Sequence, residues 1–211
     1  MFLLWAGFGF LVIGFGCVAI DRQAVHFFYD HVGLGLHRFL NRTTHFAKAA
    51  HWLTVAVIAT GASWLWLRAN EHSGHDSAGI KLAFHTALAF ILALGLGTIV
   101  IHTAKLLLGR RRPRDELELN LYGFIPFGFD LKHNSFPSGH ALTIFCVAVI
   151  ATTLMPQGAI LWFALALWLS LTRALLTAHF LSDVFIGAGI GLLSTRIVLV
   201  NWFPSLALPW F

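Results

Sequence analysis

Polar and apolar residues come in blocks along this chain. Phe2–Ile20 carries no charge. It is long enough to cross a bilayer, which takes roughly 20 apolar residues rising about 1.5 Å each. Residues 21–48 mix Asp, Arg, His and Lys with Phe, Leu and Val. Their apolar positions recur at loose helical spacing, which predicts an amphipathic segment lying in the membrane interface. Apolar blocks resume at Ala49–Leu67 and Leu82–Leu108, and a polar connection follows over 109–136. From Asn134 to Thr172 no Asp, Glu, Lys or Arg occurs, too long a run for one span. Pro156 and Gly158 divide it, predicting spans at Ser138–Leu154 and Ala159–Ala178. A sixth is expected from Asp183 to Val200, with Arg196 placed to snorkel to the headgroups.

The expected fold is therefore all-α: a six-transmembrane-helix bundle, one domain over residues 1–211, with an interfacial segment between helices 1 and 2. Composition agrees. The chain is 58% hydrophobic and 11% charged, where soluble domains carry about 25% charge. The net charge of +5 points to anionic headgroups or phosphorylated lipid, not nucleic acid. The N-terminal stretch lacks a basic start and is too long for a signal peptide, so an uncleaved first span is expected. Cys17 and Cys146 lie in apolar runs and read as small core residues.

Six spans put the ends of the third and fifth on the same face as the starts of the fourth and sixth. Lys105, Arg112, Ser138, His140, Arg173, His179 and Asp183 then share one face. Three cations there need an anion, because an Arg in a span costs at least about 2.5 kcal/mol. Arg grips phosphate with two parallel hydrogen bonds and Lys adds a point charge. In "PSGH", residues 137–140, Pro137 suits a helix entrance and Ser138–Gly139 expose helix N-terminal N–H groups to an anion. His179 and Asp183 stand at i and i+4. A carboxylate on one ring nitrogen fixes the tautomer and leaves the other as a nucleophile. His140 could protonate the departing oxygen, a division of labour between two groups held in different protonation states.

The order K-x6-R-P (Lys105 to Pro113), P-S-G-H and R-x5-H-x3-D (Arg173 to Asp183) resembles the type 2 phosphatidic acid phosphatase superfamily over roughly residues 80–200. The resemblance implies that Lys105, Arg112, Ser138, Gly139 and Arg173 hold the phosphoryl oxygens. His179 would form a phosphohistidine, Asp183 would orient it, and His140 would act as acid and then activate water. It implies no metal and no cofactor. Thr172 stands where the third motif usually has Ser. The implied activity is hydrolysis of the terminal phosphate of a membrane lipid: phosphatidic acid, phosphatidylglycerophosphate, undecaprenyl diphosphate or lipid A 1-phosphate. Alternatives are a lipid phosphotransferase using the same intermediate, a vanadium haloperoxidase, and a non-enzymatic lipid-phosphate carrier.

The remaining polar residues read more plainly. Arg110 and Arg111 are expected to anchor a helix end at headgroups. His72, His75 and Asp76 form a solvated loop, not a metal site. His26, His31, His37, His45 and His51 are expected in interfacial packing or headgroup contact, and His85 and His102 in interhelical hydrogen bonds. The stretch 122–136 is expected to lie over the site and select the lipid. Counting Lys and Arg places the active face in the cytoplasm. The resemblance to bacterial members points instead to the periplasmic face of an inner membrane, which is the expectation adopted.

Overall fold

A computed structural model of the protein describes residues 1–72, 76–127 and 134–211. Nine α-helices occur among them: α1 (Phe2–Cys17), α2 (Asp21–His31), α3 (Leu34–Thr43), α4 (Ala49–Ala69), α5 (Ala78–Leu108), α6 (Pro113–Leu119), α7 (Gly139–Leu154), α8 (Ala159–Leu175) and α9 (Leu181–Trp202). Short 3₁₀ turns at Thr44–Ala47 and Pro156–Gly158 lead into α4 and α8. The described residues form no strand, only an isolated bridge between Arg110 and Phe124.

Four helical stretches are long and apolar enough to cross a membrane: Leu34–Ala69, Ala78–Leu108, Pro156–Leu175 and Leu181–Trp202. α1 and α2 count as a fifth only if taken together as one span, and they are bent by 83° between them. The bend falls where the uncharged run meets Asp21, which is buried, so α2 turns away from the axis of α1. The expected fourth span, α7, has 16 residues, about 24 Å at 1.5 Å each. That is shorter than the hydrocarbon core of about 30 Å. Most of α7 is buried in protein, including Leu142, Phe145 and Val149, so neighbouring helices and not lipid surround it.

α9 is the other central helix and packs on α1, α5 and α7. Its glycines permit this. A Cβ at Gly189 would stand 2.9 Å from the carbonyl oxygen of Gly7, and one at Gly187 would overlap the carbonyl oxygen of Ser138. With no hydrophobic force between helices in lipid, such close backbone approach supplies the packing. Gly187 thereby seats the entrance of α7 directly on α9. α4 stands apart, touching mainly α5.

Helix ends follow local chemistry. The Asp76 carboxylate accepts the Ala78 N–H at 2.9 Å, so α5 begins four residues before the apolar block expected at Leu82. Pro113 opens α6, with the Asp115 carboxylate accepting the Arg112 N–H at 3.0 Å. α6 lies within what the hydropathy pattern read as a plain polar connection.

Candidate active site

Three clusters far apart in sequence meet at one end of the bundle, through backbone as much as side chains. The Ser138 N–H donates to the Asp183 carbonyl at 3.0 Å, joining the entrance of α7 to the first turn of α9. Ser138 caps α7, its hydroxyl 3.5 Å from the Ala141 nitrogen. A Cβ built at Gly139 meets no atom within 4 Å, so open space faces the first N–H groups of α7.

Asn134 and Ser135 fasten this segment to the end of α5. The Lys105 ammonium donates to the Asn134 carbonyl at 2.9 Å, and the Asn134 amide returns a bond to the Lys105 carbonyl at 2.5 Å. The Arg110 N–H donates to the Asn134 side chain at 2.9 Å, and the Ser135 hydroxyl to the Arg111 carbonyl at 3.0 Å. Lys105 and Arg112 feel each other's charge, as do Arg112 and Arg173.

His179 precedes the α9 helix. It lies in the turn between α8 and α9, with its ring buried. The turn closes with the Ala178 and His179 N–H groups both donating to the Arg173 carbonyl, at 3.0 and 3.1 Å. Thr177 adopts a left-handed φ of 50° there, a position more often held by Gly or Asn. The turn still sets His179 Nδ1 3.5 Å from Asp183 Oδ2, long for a hydrogen bond but close enough for electrostatic pairing. Burial holds the His179 imidazole below the usual histidine range, although Asp183 pulls the other way. The ring is therefore neutral near pH 7. Arg173 and Lys105 also act on it, and Arg173 reaches the Thr44 hydroxyl at 3.3 Å. His140 is the second residue of α7 and is half-buried.

Arg110 is not a headgroup anchor. It is 1% exposed. One guanidinium nitrogen donates to Asp183 and to the Ser182 hydroxyl, both at 2.6 Å; the other donates to Asp21 at 2.8 Å and to the Tyr122 hydroxyl at 2.9 Å. The rings of Tyr122, Phe124 and Phe180 enclose it, their centroids 4.3–5.5 Å from its central carbon. Asp21 in turn accepts the Ser182 N–H at 3.0 Å and the Ser182 hydroxyl. A chain Asp21–Arg110–Asp183–His179 thus runs from α2 to the candidate nucleophile. The sequence reading missed Asp21, Arg110, Asn134, Ser135 and Ser182. No local signal in the sequence set Arg110 apart from Arg111 and Arg112, which follow it.

Other expectations change too. His26 lies 3.1 Å from Glu116, which also takes the Arg22 guanidinium at 2.6 Å, so α2 is clamped to α6. His85 packs against Phe203 with centroids 5.9 Å apart, and neither it nor His102 makes a hydrogen bond among the described residues. His75 lies outside the described residues, as do 128–133 within the stretch expected to cover the site. Of that stretch, Phe136 is buried edge-on against Phe124. Among the described residues no three His, Cys, Asp or Glu side chains gather as a metal site would require.

The sequence model of the PAP2 superfamily matches residues 86–206. The chain belongs to this superfamily. Its match spans α5 to the end of α9 and so contains all three clusters. Curated relatives include the lipid A 1-phosphatases of Rhizobium etli and Rhizobium johnstonii, each 32% identical over 93 residues, or 44% of this chain. The match covers 40% and 38% of their lengths, so this chain aligns with about two fifths of each. Two solved structures share the fold. A transmembrane PAP2-type phosphatidylglycerolphosphate phosphatase from Bacillus subtilis superposes with a TM-score of 0.60 at 20% identity, all of both chains being covered. Aquifex aeolicus LpxE gives 0.58 at 20% identity over 85% of this chain and 94% of its own.

Proposed function

We propose that the protein is a membrane lipid phosphatase that removes a terminal phosphate through a phosphohistidine at His179. The reading rests on one observation: Lys105 hydrogen-bonds to Asn134 ahead of α7 and Ser138 to Asp183, which gathers Lys105 and the Arg173–His179–Asp183 turn around the open space at the N-terminus of α7. In this reading α1, α4, α5, α7, α8 and α9 all cross the membrane as one domain. The active end faces the periplasm from an inner membrane.

The phosphate dianion sits against Lys105, Arg112, Arg173, Ser138 and the Gly139 backbone, which neutralise it as charge shifts in the transition state. His179 Nδ1 faces Asp183, so Nε2 attacks phosphorus. The bond to the bridging oxygen breaks, and His140 passes that oxygen a proton. Neutral His140 then takes a proton from water, whose oxygen displaces His179 and releases inorganic phosphate. The dianion supplies the charge that lets an imidazolium at His140 coexist with Arg173. A groove of about 540 Å³ runs from Thr43 and Phe46 past Trp52 and Ile144 to Trp162, beginning at the turn that holds Arg173. A lipid chain in it would leave the headgroup at the recess. Lipid A 1-phosphate and phosphatidylglycerophosphate are the first substrates to try.

The test is phosphate release by purified protein from a panel of lipid phosphates in detergent. His179→Ala and His140→Ala are expected to abolish it, vanadate to inhibit and EDTA to leave it unchanged. Turnover surviving both substitutions would refute the reading. Label passing to lipid and not to free phosphate would make the protein a phosphotransferase.

A further inference from the structure

The 3₁₀ turn Thr44–Ala47 carries more than a prop for Arg173. Thr44 and Ala47 are buried and fix the turn against α7 and α8. His45 and Phe46 are exposed, and Lys48, just after the turn, is half-buried. The Lys48 ammonium donates to His45 Nδ1 at 3.0 Å, and neither side chain pairs with a carboxylate among the described residues. The adjoining Thr44 hydroxyl accepts a hydrogen bond from Arg173 at 3.3 Å, which brings the pair beside the recess. Thr43 and Phe46 share a groove with Ile144, one turn of α7 beyond His140. The pair therefore stands on the His140 side of the recess, at the mouth of that groove.

This placement has a chemical consequence under the phosphatase reading, on which the inference rests. An in-line displacement puts the leaving oxygen opposite the attacking nitrogen, beside the acid that protonates it. The next atoms of the substrate, those that depart with the lipid, then lie against Lys48 and His45. The groove that begins at Thr43 and Phe46 draws the chain along the same side. An ammonium without a protein counter-charge is suited to an anion, and a hydrogen bond to a charged group is stronger than a neutral one.

We infer that His45 and Lys48 form a leaving-group subsite favouring lipids whose departing portion is itself anionic. A lipid diphosphate, which departs as the lipid monophosphate, fits. So does a lipid phosphomonoester with a phosphodiester a few bonds away. Phosphatidic acid departs as an uncharged alcohol and gains nothing from the pair. In the diphosphate case the His179–phosphorus bond forms and the bond to the bridging oxygen breaks. Its electron pair stays on that oxygen, which takes the proton from His140 as part of the lipid monophosphate. Lys48 offsets the charge left on that group.

The experiment compares kcat/KM for a prenyl diphosphate, phosphatidylglycerophosphate and phosphatidic acid in neutral detergent micelles. Wild type, Lys48→Gln, His45→Gln and Lys48→Arg are measured after thermal melts show equal folding. Lys48→Gln is expected to lower the diphosphate-to-phosphatidic acid ratio about ten-fold, equivalent to about 1.4 kcal/mol. His45→Gln should lower it less, and Lys48→Arg should largely restore it. Equal change on all three lipids overturns the inference while leaving the phosphatase reading standing. A defect seen only when anionic lipid is added to the micelles also overturns it, assigning the pair to bulk headgroups. No phosphate release by wild type from any lipid overturns both.

Discussion

Replacing Arg110 by Met separates a buried structural ion from a headgroup anchor. Arg110 makes four hydrogen bonds of 2.6–2.9 Å to Asp183, Ser182, Asp21 and Tyr122. Both carboxylates are fully buried. Met keeps the apolar stem but strands two carboxylates without their cation, and breaking a buried pair this way costs about 3–5 kcal/mol. At about 2–4 °C per kcal/mol for a chain of this size, the melting temperature in detergent should fall by about 6–20 °C. An anchor at the bilayer surface would lose no more than about 0.5 kcal/mol. The cycle with Asp21→Asn sharpens the test, since removing one stranded carboxylate relieves part of the damage. The double variant should be more stable than the sum of the two losses by at least about 1 kcal/mol. Additive losses, or an Arg110→Met protein melting with wild type, would refute the chain Asp21–Arg110–Asp183.

Two further predictions follow from local geometry. Gly139→Ala adds a methyl group that meets no protein atom within 4 Å, so the melting temperature should hold. The methyl fills the space where a phosphoryl oxygen would approach the backbone, and kcat/KM should fall by about 100-fold, as misplacement near 1 Å can cause; unchanged activity would place the phosphate elsewhere. Glu116 concerns pH. Burial raises its pKa, but hydrogen bonds from Arg22 and His26 outweigh this and leave it below its ordinary value of 4.5. A depressed carboxylate contributes stability above its unfolded pKa and loses it as pH falls through the folded one. Stability between pH 7 and 3 should therefore drop less in Glu116→Gln than in wild type, as read from melts across that range, and parallel curves would contradict the clamp.

The blocks of apolar residues made the helices legible, because a bilayer demands runs of about 20 with satisfied backbone. Ala49–Leu67 appears as α4 and Asp183–Val200 lies within α9. The candidate site was legible for a related reason. Lys105, Arg112, Arg173 and His179 are anomalous in so apolar a chain, and six alternating spans would put them on one face. Arg110 was not legible. It is the first of three consecutive arginines, and nothing local separates a residue facing headgroups from one turned inward. His85 failed similarly, because a histidine in an apolar run does not reveal whether its neighbour across the bundle is an acceptor or, as here, Phe203.

By itself the sequence determined the all-helical class, the order of polar clusters and the residue types needed to grip a phosphate. Those depend on composition and on spacing along one segment. Only the tertiary structure decided that Asp21 in α2 joins Arg110 and Asp183, that Asn134 and Ser135 tie the end of α5 to the entrance of α7, and that the turn ahead of Lys48 holds Arg173 through Thr44. Each of these joins segments whose approach depends on helix packing, such as the contact between Gly187 and the Ser138 carbonyl. Packing of that kind arises from the whole bundle, and no single stretch of chain encodes it.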